Sequence, residues 1–136
     1  MKLLFVCTGN TCRSPMAEGI CKYLIKKKGL NYEVESAGVL ASDGSAATEN
    51  SIEAIKEYYD LSNHRSQYSG YELMEKQDKI ITMTADHTEY ILKLYPEFKD
   101  KLITLDVGDP YGQSLDVYKR TAQMLYTNIE KLIDEL

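Results

Sequence analysis

Short apolar runs alternate with stretches of helical periodicity, and no other feature restricts the fold of this chain so tightly. Lys2–Cys7 (KLLFVC), residues 32–37 (YEVESA), Lys79–Met83 (KIITM) and Leu102–Leu105 read as strands. The first is apolar almost throughout, the pattern of a strand covered on both faces. After it, Ser14-Pro15 reads as a helix start, with Ser14 as N-cap and Pro15 at the first helical position. Met16, Ile20, Tyr23 and Leu24 follow at helical spacing. Lys26, Lys27 and Lys28 suit the negative end of that helix, and Gly29 suits its C′ position. Further helical patterns cover residues 48–59, Tyr71–Lys76, Ala85–Tyr95 and 115–135. Thr84 is the expected cap of the Ala85–Tyr95 helix, and Pro96 lies beyond its end. Alternating strands and helices imply βαβ units with right-handed crossovers. The expected fold is one α/β domain over residues 1–136: a Rossmann-like, four-stranded parallel sheet with helices on both faces. Ligands of such sheets bind at the carboxyl ends of the strands, near the reversal of strand order.

Composition narrows the function. The formal net charge of −5 argues against a nucleic-acid partner, since general nucleic-acid binders are basic. An acidic protein with an anionic substrate must concentrate positive potential in a short segment. The cysteines are Cys7, Cys12 and Cys21, an odd set near one end, unlike a secreted disulfide framework. His64 and His87 stand far from them and from each other, so no metal-ligand spacing arises and no cofactor is expected. The first apolar run is too short for a signal-peptide core or a membrane span. These features point to a reduced, cytoplasmic protein without a membrane partner, and a monomer is expected.

The chemistry concentrates in Cys7-Thr8-Gly9-Asn10-Thr11-Cys12-Arg13-Ser14-Pro15, between the first strand and the first helix. Backbone N–H groups of such a loop can turn inward as an anion nest, and the helix N-terminus adds positive potential. Gly9 lets a ligand approach the backbone closely, and Asn10 tolerates left-handed geometry. Thr8 to Ser14 would thus enclose a phosphate group. The same donors are expected to depress the pKa of Cys7 and keep it as the nucleophilic thiolate. Arg13 offers a planar fork that matches two phosphate oxygens. Ser14 can donate a hydrogen bond to the thiolate as it departs. The segment lacks the terminal Gly-Lys-Ser/Thr of a nucleotide P-loop.

A departing group needs a proton, which a carboxylic acid on a loop can supply. Asp109-Pro110-Tyr111 follows the last strand, at the sheet end that carries the Cys7 loop. Pro110 would stiffen the acid and Tyr111 would wall the entrance. Asp106 is the competing acid.

VCTGNTCRSPMAE and DPYG resemble the low-molecular-weight protein tyrosine phosphatase family. Ser36-Ala37-Gly38, Asn63-His64-Arg65-Ser66 and Ile80-Ile81-Thr82-Met83 resemble family segments in the same order. The resemblance implies a phosphocysteine intermediate, no metal and phosphorylated protein substrates. It makes Cys7 the nucleophile, Arg13 the phosphate ligand and Asp109 the general acid. It gives Asn10 and Ser36 the task of shaping the loop, and Cys12 that of a reversible disulfide partner for Cys7. Thr11 resembles the bacterial protein-arginine phosphatases, where tyrosine phosphatases carry an aliphatic residue. A Thr hydroxyl can accept guanidinium N–H donors. The expected activity is therefore phosphoarginine hydrolysis, with Thr11 and Tyr111 setting specificity. Phosphotyrosine hydrolysis is the alternative. Arsenate reduction is disfavoured because no cysteine follows Cys21, and a non-catalytic phosphate-binding module because Cys7, Arg13 and Asp109 occur together. His64 and Arg65 read as a structural pair, and Cys21 as a core residue.

Overall fold

The computed structural model describes residues 1–136. Strand β1 (Lys2–Cys7) pairs in parallel with β2 (Glu33–Gly38) on one side and β3 (Lys79–Thr82) on the other. Strand β4 (Leu102–Thr104) extends the sheet beyond β3, giving the parallel order β2-β1-β3-β4. The order reverses between β1 and β3, so the loops leaving their carboxyl ends flank the expected ligand crevice.

Alternation along β1 feeds two cores. Leu3, Phe5 and Cys7 face a cluster built with Met16, Ile20 and Leu24 of α1 (Arg13–Lys27) and Leu125 and Ile129 of α5 (Leu115–Glu135). Leu4 and Val6 face the other side, with Met74 of α3 (Tyr71–Glu75) and Ile91 of α4 (Ala85–Leu94). Helices therefore cover both faces, as expected, and β1 is buried from residue 3 onward. Each such side chain contributes about 1.5–3 kcal/mol when fully removed from water. No helix is long and apolar enough to cross a membrane.

Helix α1 ends where expected. Gly29 takes φ +70°, its N–H reaches the Lys26 carbonyl, and the Leu30 N–H reaches the Ile25 carbonyl. This is a Schellman closure, in which a left-handed glycine satisfies the last carbonyls. Its start differs from the sequence reading. Cys12 is the N-cap, so Ser14 and Pro15 lie two positions further inside the helix than expected. Ser14 is thus free of capping and turns its hydroxyl elsewhere. Helix α2 (Glu49–Ala54) is shorter than the expected 48–59: at Ile55 the backbone leaves helical geometry, and the Tyr58 and Tyr59 N–H groups both fold back on its carbonyl. Ile55 is wholly buried there, so packing overrides the helical stripe. Thr84 caps α4 as expected, while Pro96 opens a 3₁₀ segment, Pro96–Lys101, that the sequence reading lacked.

Candidate active site

Residues 8–12 form a ring between β1 and α1, and Asn10 is its keystone. Asn10 is fully buried in left-handed geometry, φ 56°. Its Nδ2 donates to Ser14 Oγ at 2.8 Å and Ser36 Oγ at 3.0 Å, and its Oδ1 accepts the Gln67 N–H at 3.0 Å. Its carbonyl accepts from His64 Nε2 at 2.8 Å, and its own N–H lies 3.3 Å from Cys7 Sγ. Ser36 in turn donates to Glu18 Oε1 at 2.5 Å. Gly38 supports the ring from below: a Cβ there would lie 2.5 Å from the Thr8 carbonyl oxygen and 2.9 Å from the Asn10 nitrogen.

The N–H groups of Thr8, Gly9, Thr11, Cys12 and Arg13 donate to no group of the protein. A cluster of unpaired amides at a helix N-terminus is a site for an oxyanion. Arg13 is 5% exposed, and its Nη1 donates to the Val107 carbonyl at 3.0 Å. Its Nη2 lies 3.7 Å from Asp109 Oδ2, while Asp109 Oδ1 accepts the Tyr111 N–H at 3.0 Å. Cys7, Thr8, Gly9, Thr11, Cys12, Arg13, Asp109 and Tyr111 line one cavity of about 220 Å³. The structure thus brings together the expected nucleophile, anion ligand, acid and both expected specificity residues. Asn10 and Ser14 lie behind its wall as supports, and Asp106 lines none of the cavities at the site.

Cys7 Sγ lies 2.9 Å from Ser14 Oγ, the hydroxyl that capping left free. Burial pushes the Cys7 thiol above its ordinary value. Side-chain and backbone hydrogen bonds from Ser14, the Asn10 N–H and the Arg13 charge pull it down without cancelling that effect. This corrects the expected depressed pKa: the donors are present, but β1 is flanked by strands and covered on both faces, and desolvation disfavours the charged sulfur more.

Cys12 is also buried, with Tyr118 Oη at 3.4 Å and Thr48 Oγ1 at 3.6 Å. Burial and the contact with Cys12 push the Tyr118 hydroxyl up to about 12, so it remains protonated. Cys21 is a fully buried core residue, as expected, and burial beside Glu18 pushes its thiol up to about 12. His64, read as structural, braces the ring, and Arg65 Nη1 donates to its carbonyl at 2.8 Å. The sequence reading missed Gln67, Val107 and His87. His87 carried one usable signal, its place at the start of the helix after β3, beside the reversal of strand order.

The model of the family described as low molecular weight phosphotyrosine protein phosphatase matches residues 2–136. A protein-arginine-phosphatase of Bacillus subtilis (strain 168) is 41% identical, over 100% of this chain and 97% of the relative. A low molecular weight protein tyrosine phosphatase from T. tengcongensis superposes with a TM-score of 0.95 at 44% identity, covering 100% of this chain and 99% of that one. The C7S mutant of YwlE arginine phosphatase, with a phosphorylated active-site serine, superposes with a TM-score of 0.95 at 40% identity, covering 100% and 95%.

Proposed function

The chain belongs to the low molecular weight phosphotyrosine protein phosphatase family, a family of hydrolases that act on phosphorylated proteins, and we propose that it is a protein-arginine phosphatase working through a phosphocysteine intermediate. The observation that carries this reading is the single cavity shared by Cys7, Arg13, Thr11 and Asp109. The likeness to an arginine phosphatase whose active-site serine is phosphorylated supports a covalent step at position 7.

Cys7 is the nucleophile. Burial holds it as a thiol, so its proton passes to the phosphoryl dianion as that group enters, leaving a thiolate beside a monoanion inside the ring's donors. The Sγ–P bond then forms as the P–N bond to the guanidine nitrogen breaks, and Asp109 gives its proton to that nitrogen. In the second step water attacks phosphorus, Asp109 takes the water proton, and the S–P bond breaks. The Ser14 hydroxyl hydrogen-bonds the departing thiolate, the phosphate monoanion returns its extra proton to Sγ to restore the buried thiol, and inorganic phosphate leaves. Arg13 and the amides of Thr8, Gly9, Thr11, Cys12 and Arg13 hold the equatorial oxygens throughout, where charge accumulates. The Thr11 hydroxyl accepts a guanidinium N–H, and Tyr111 walls the entrance. The reaction belongs in a reducing, cytoplasmic setting, a reading that the three free thiols support.

The test is steady-state kinetics on phosphoarginine and phosphotyrosine peptides of one sequence, with Thr11→Ile alongside. The wild type is expected to prefer phosphoarginine. Thr11→Ile is expected to move the preference toward phosphotyrosine by roughly 1–3 kcal/mol, about ten- to a hundredfold. A wild type that prefers phosphotyrosine returns the assignment to the tyrosine phosphatases, as the T. tengcongensis likeness would have it.

A further inference from the structure

His87 is buried at the amino end of α4, beside the ring but outside its sequence. The Thr84 N–H points at its Nδ1 from 3.3 Å. A backbone N–H only donates, so Nδ1 is the unprotonated nitrogen, and the neutral ring carries its hydrogen on Nε2. Nε2 lies 2.9 Å from Thr8 Oγ1, so the imidazole donates and the hydroxyl accepts. Charged groups face the ring from three directions: Arg13 of α1, Asp86 of its own helix and Asp109 of the β4–α5 loop. Burial, then Arg13, holds His87 below its ordinary value against the two aspartates, which keeps this tautomer at neutral pH.

Thr8 Oγ1 has no other partner in the protein. Thr8 lines the 220 Å³ cavity and also the adjoining cleft of about 390 Å³ that reaches Leu40, Asp86 and Tyr90. With one lone pair engaged by His87, its O–H is polarised toward donation. Phosphoryl oxygens accept hydrogen bonds, whereas a guanidinium only donates them. We propose that His87 is a positioning residue whose Nε2–H fixes the Thr8 hydroxyl as a donor to the bound phosphoryl group. This rests on the reading of the ring as the phosphate site and leaves the identity of the phosphorylated residue open.

The experiment uses an activated aryl phosphate as substrate and inorganic phosphate as inhibitor, with His87→Asn, His87→Gln, Thr8→Val and the His87→Asn/Thr8→Val double variant. Asn keeps an acceptor near the Nδ1 position and loses the donor to Thr8, while Gln keeps an N–H near Nε2. His87→Asn and Thr8→Val are each expected to lower kcat/KM and weaken phosphate inhibition about tenfold, one hydrogen bond to a charged group. The double variant should match Thr8→Val, because both act through one hydroxyl. His87→Gln should stay within about threefold of wild type, a rescue that packing alone would not give. Additive losses near a hundredfold in the double variant overturn the proposal, as does a folded His87→Asn with unchanged kinetics. If His87→Asn does not fold, a folded His87→Gln that falls as far as Thr8→Val overturns it. A wild type that neither turns over the aryl phosphate nor binds phosphate would instead sink the reading of the ring itself.

Discussion

Asn10→Ala tests the ring at its keystone. The substitution deletes three side-chain hydrogen bonds, to Ser14 Oγ, Ser36 Oγ and the Gln67 N–H, all involving a fully buried residue. Each contributes about 1 kcal/mol net, and burial leaves its former partners few substitutes. Alanine at φ 56° also gives up the tolerance of left-handed backbone that asparagine has, roughly a further 1 kcal/mol. The expected loss is about 4 kcal/mol, a large share of the ~5–15 kcal/mol of a typical domain. With a urea slope near 2 kcal/mol per molar, the unfolding midpoint should fall by about 2 M. Activity should fall further than stability, because the Asn10 N–H at Cys7 Sγ and the Ser14 hydroxyl both lose their aim. The assays are urea melts followed by circular dichroism and turnover of an aryl phosphate under conditions where the variant remains folded. A midpoint shift under about 0.5 M with full turnover would show that the ring keeps its shape without this side chain.

Gly38→Ala should disturb the ring from the opposite side. Its Cβ would meet ring backbone at 2.5 and 2.9 Å, so the ring must shift, at a cost of about 1–3 kcal/mol in stability and with weaker phosphate inhibition. Normal phosphate inhibition in this variant would show that the ring and β2 are not in register contact. Asp109→Asn should slow phosphoarginine or alkyl phosphate turnover by about 10²–10⁴ and activated aryl phosphate turnover less, because the aryl leaving group needs no proton and only the second step loses its base. Equal slowing of both would remove Asp109 from the acid role. The Cys7 titration follows from its raised value. Iodoacetamide labelling of phosphate-free enzyme, read at Cys7 by mass spectrometry, should have its midpoint above that of an ordinary thiol. The same raised pKa adds stability below the unfolded thiol's range and withdraws it as pH climbs through the folded value. Ser14→Ala should move the midpoint higher still, since Ser14 lowers it. A midpoint at or below the ordinary thiol range would mean that the donors outweigh burial.

What the sequence disclosed here is what lies along one stretch of chain. The strand–helix alternation, the left-handed fitness of Asn10 and the Cys7–Arg13 spacing are all local. They sufficed for the sheet, for its covered faces and for the cavity at its carboxyl edge. What it concealed depends on register between distant segments. Gln67 reaches Asn10 only because residues 66–68 run past the end of β2, where the Gly38 N–H meets the Gln67 carbonyl at 3.0 Å. His87 reaches Thr8 only because β3 lies beside β1. The Cys7 pKa was misread for the same reason: its donors are near in sequence, whereas the packing that buries it comes from β2 beside it and from the cluster it shares with α1 and α5. Asp106 and Asp109 were inseparable by composition, and one fixed residue between them decides. The Val107 N–H donates to the Met83 carbonyl at 2.6 Å, and its own carbonyl receives Arg13 at 3.0 Å. That double anchor pins the loop to β3 on one side and to the anion ligand on the other. Two residues later the chain is back over the guanidinium, so the carboxylate at 109, and not the one at 106, meets Arg13.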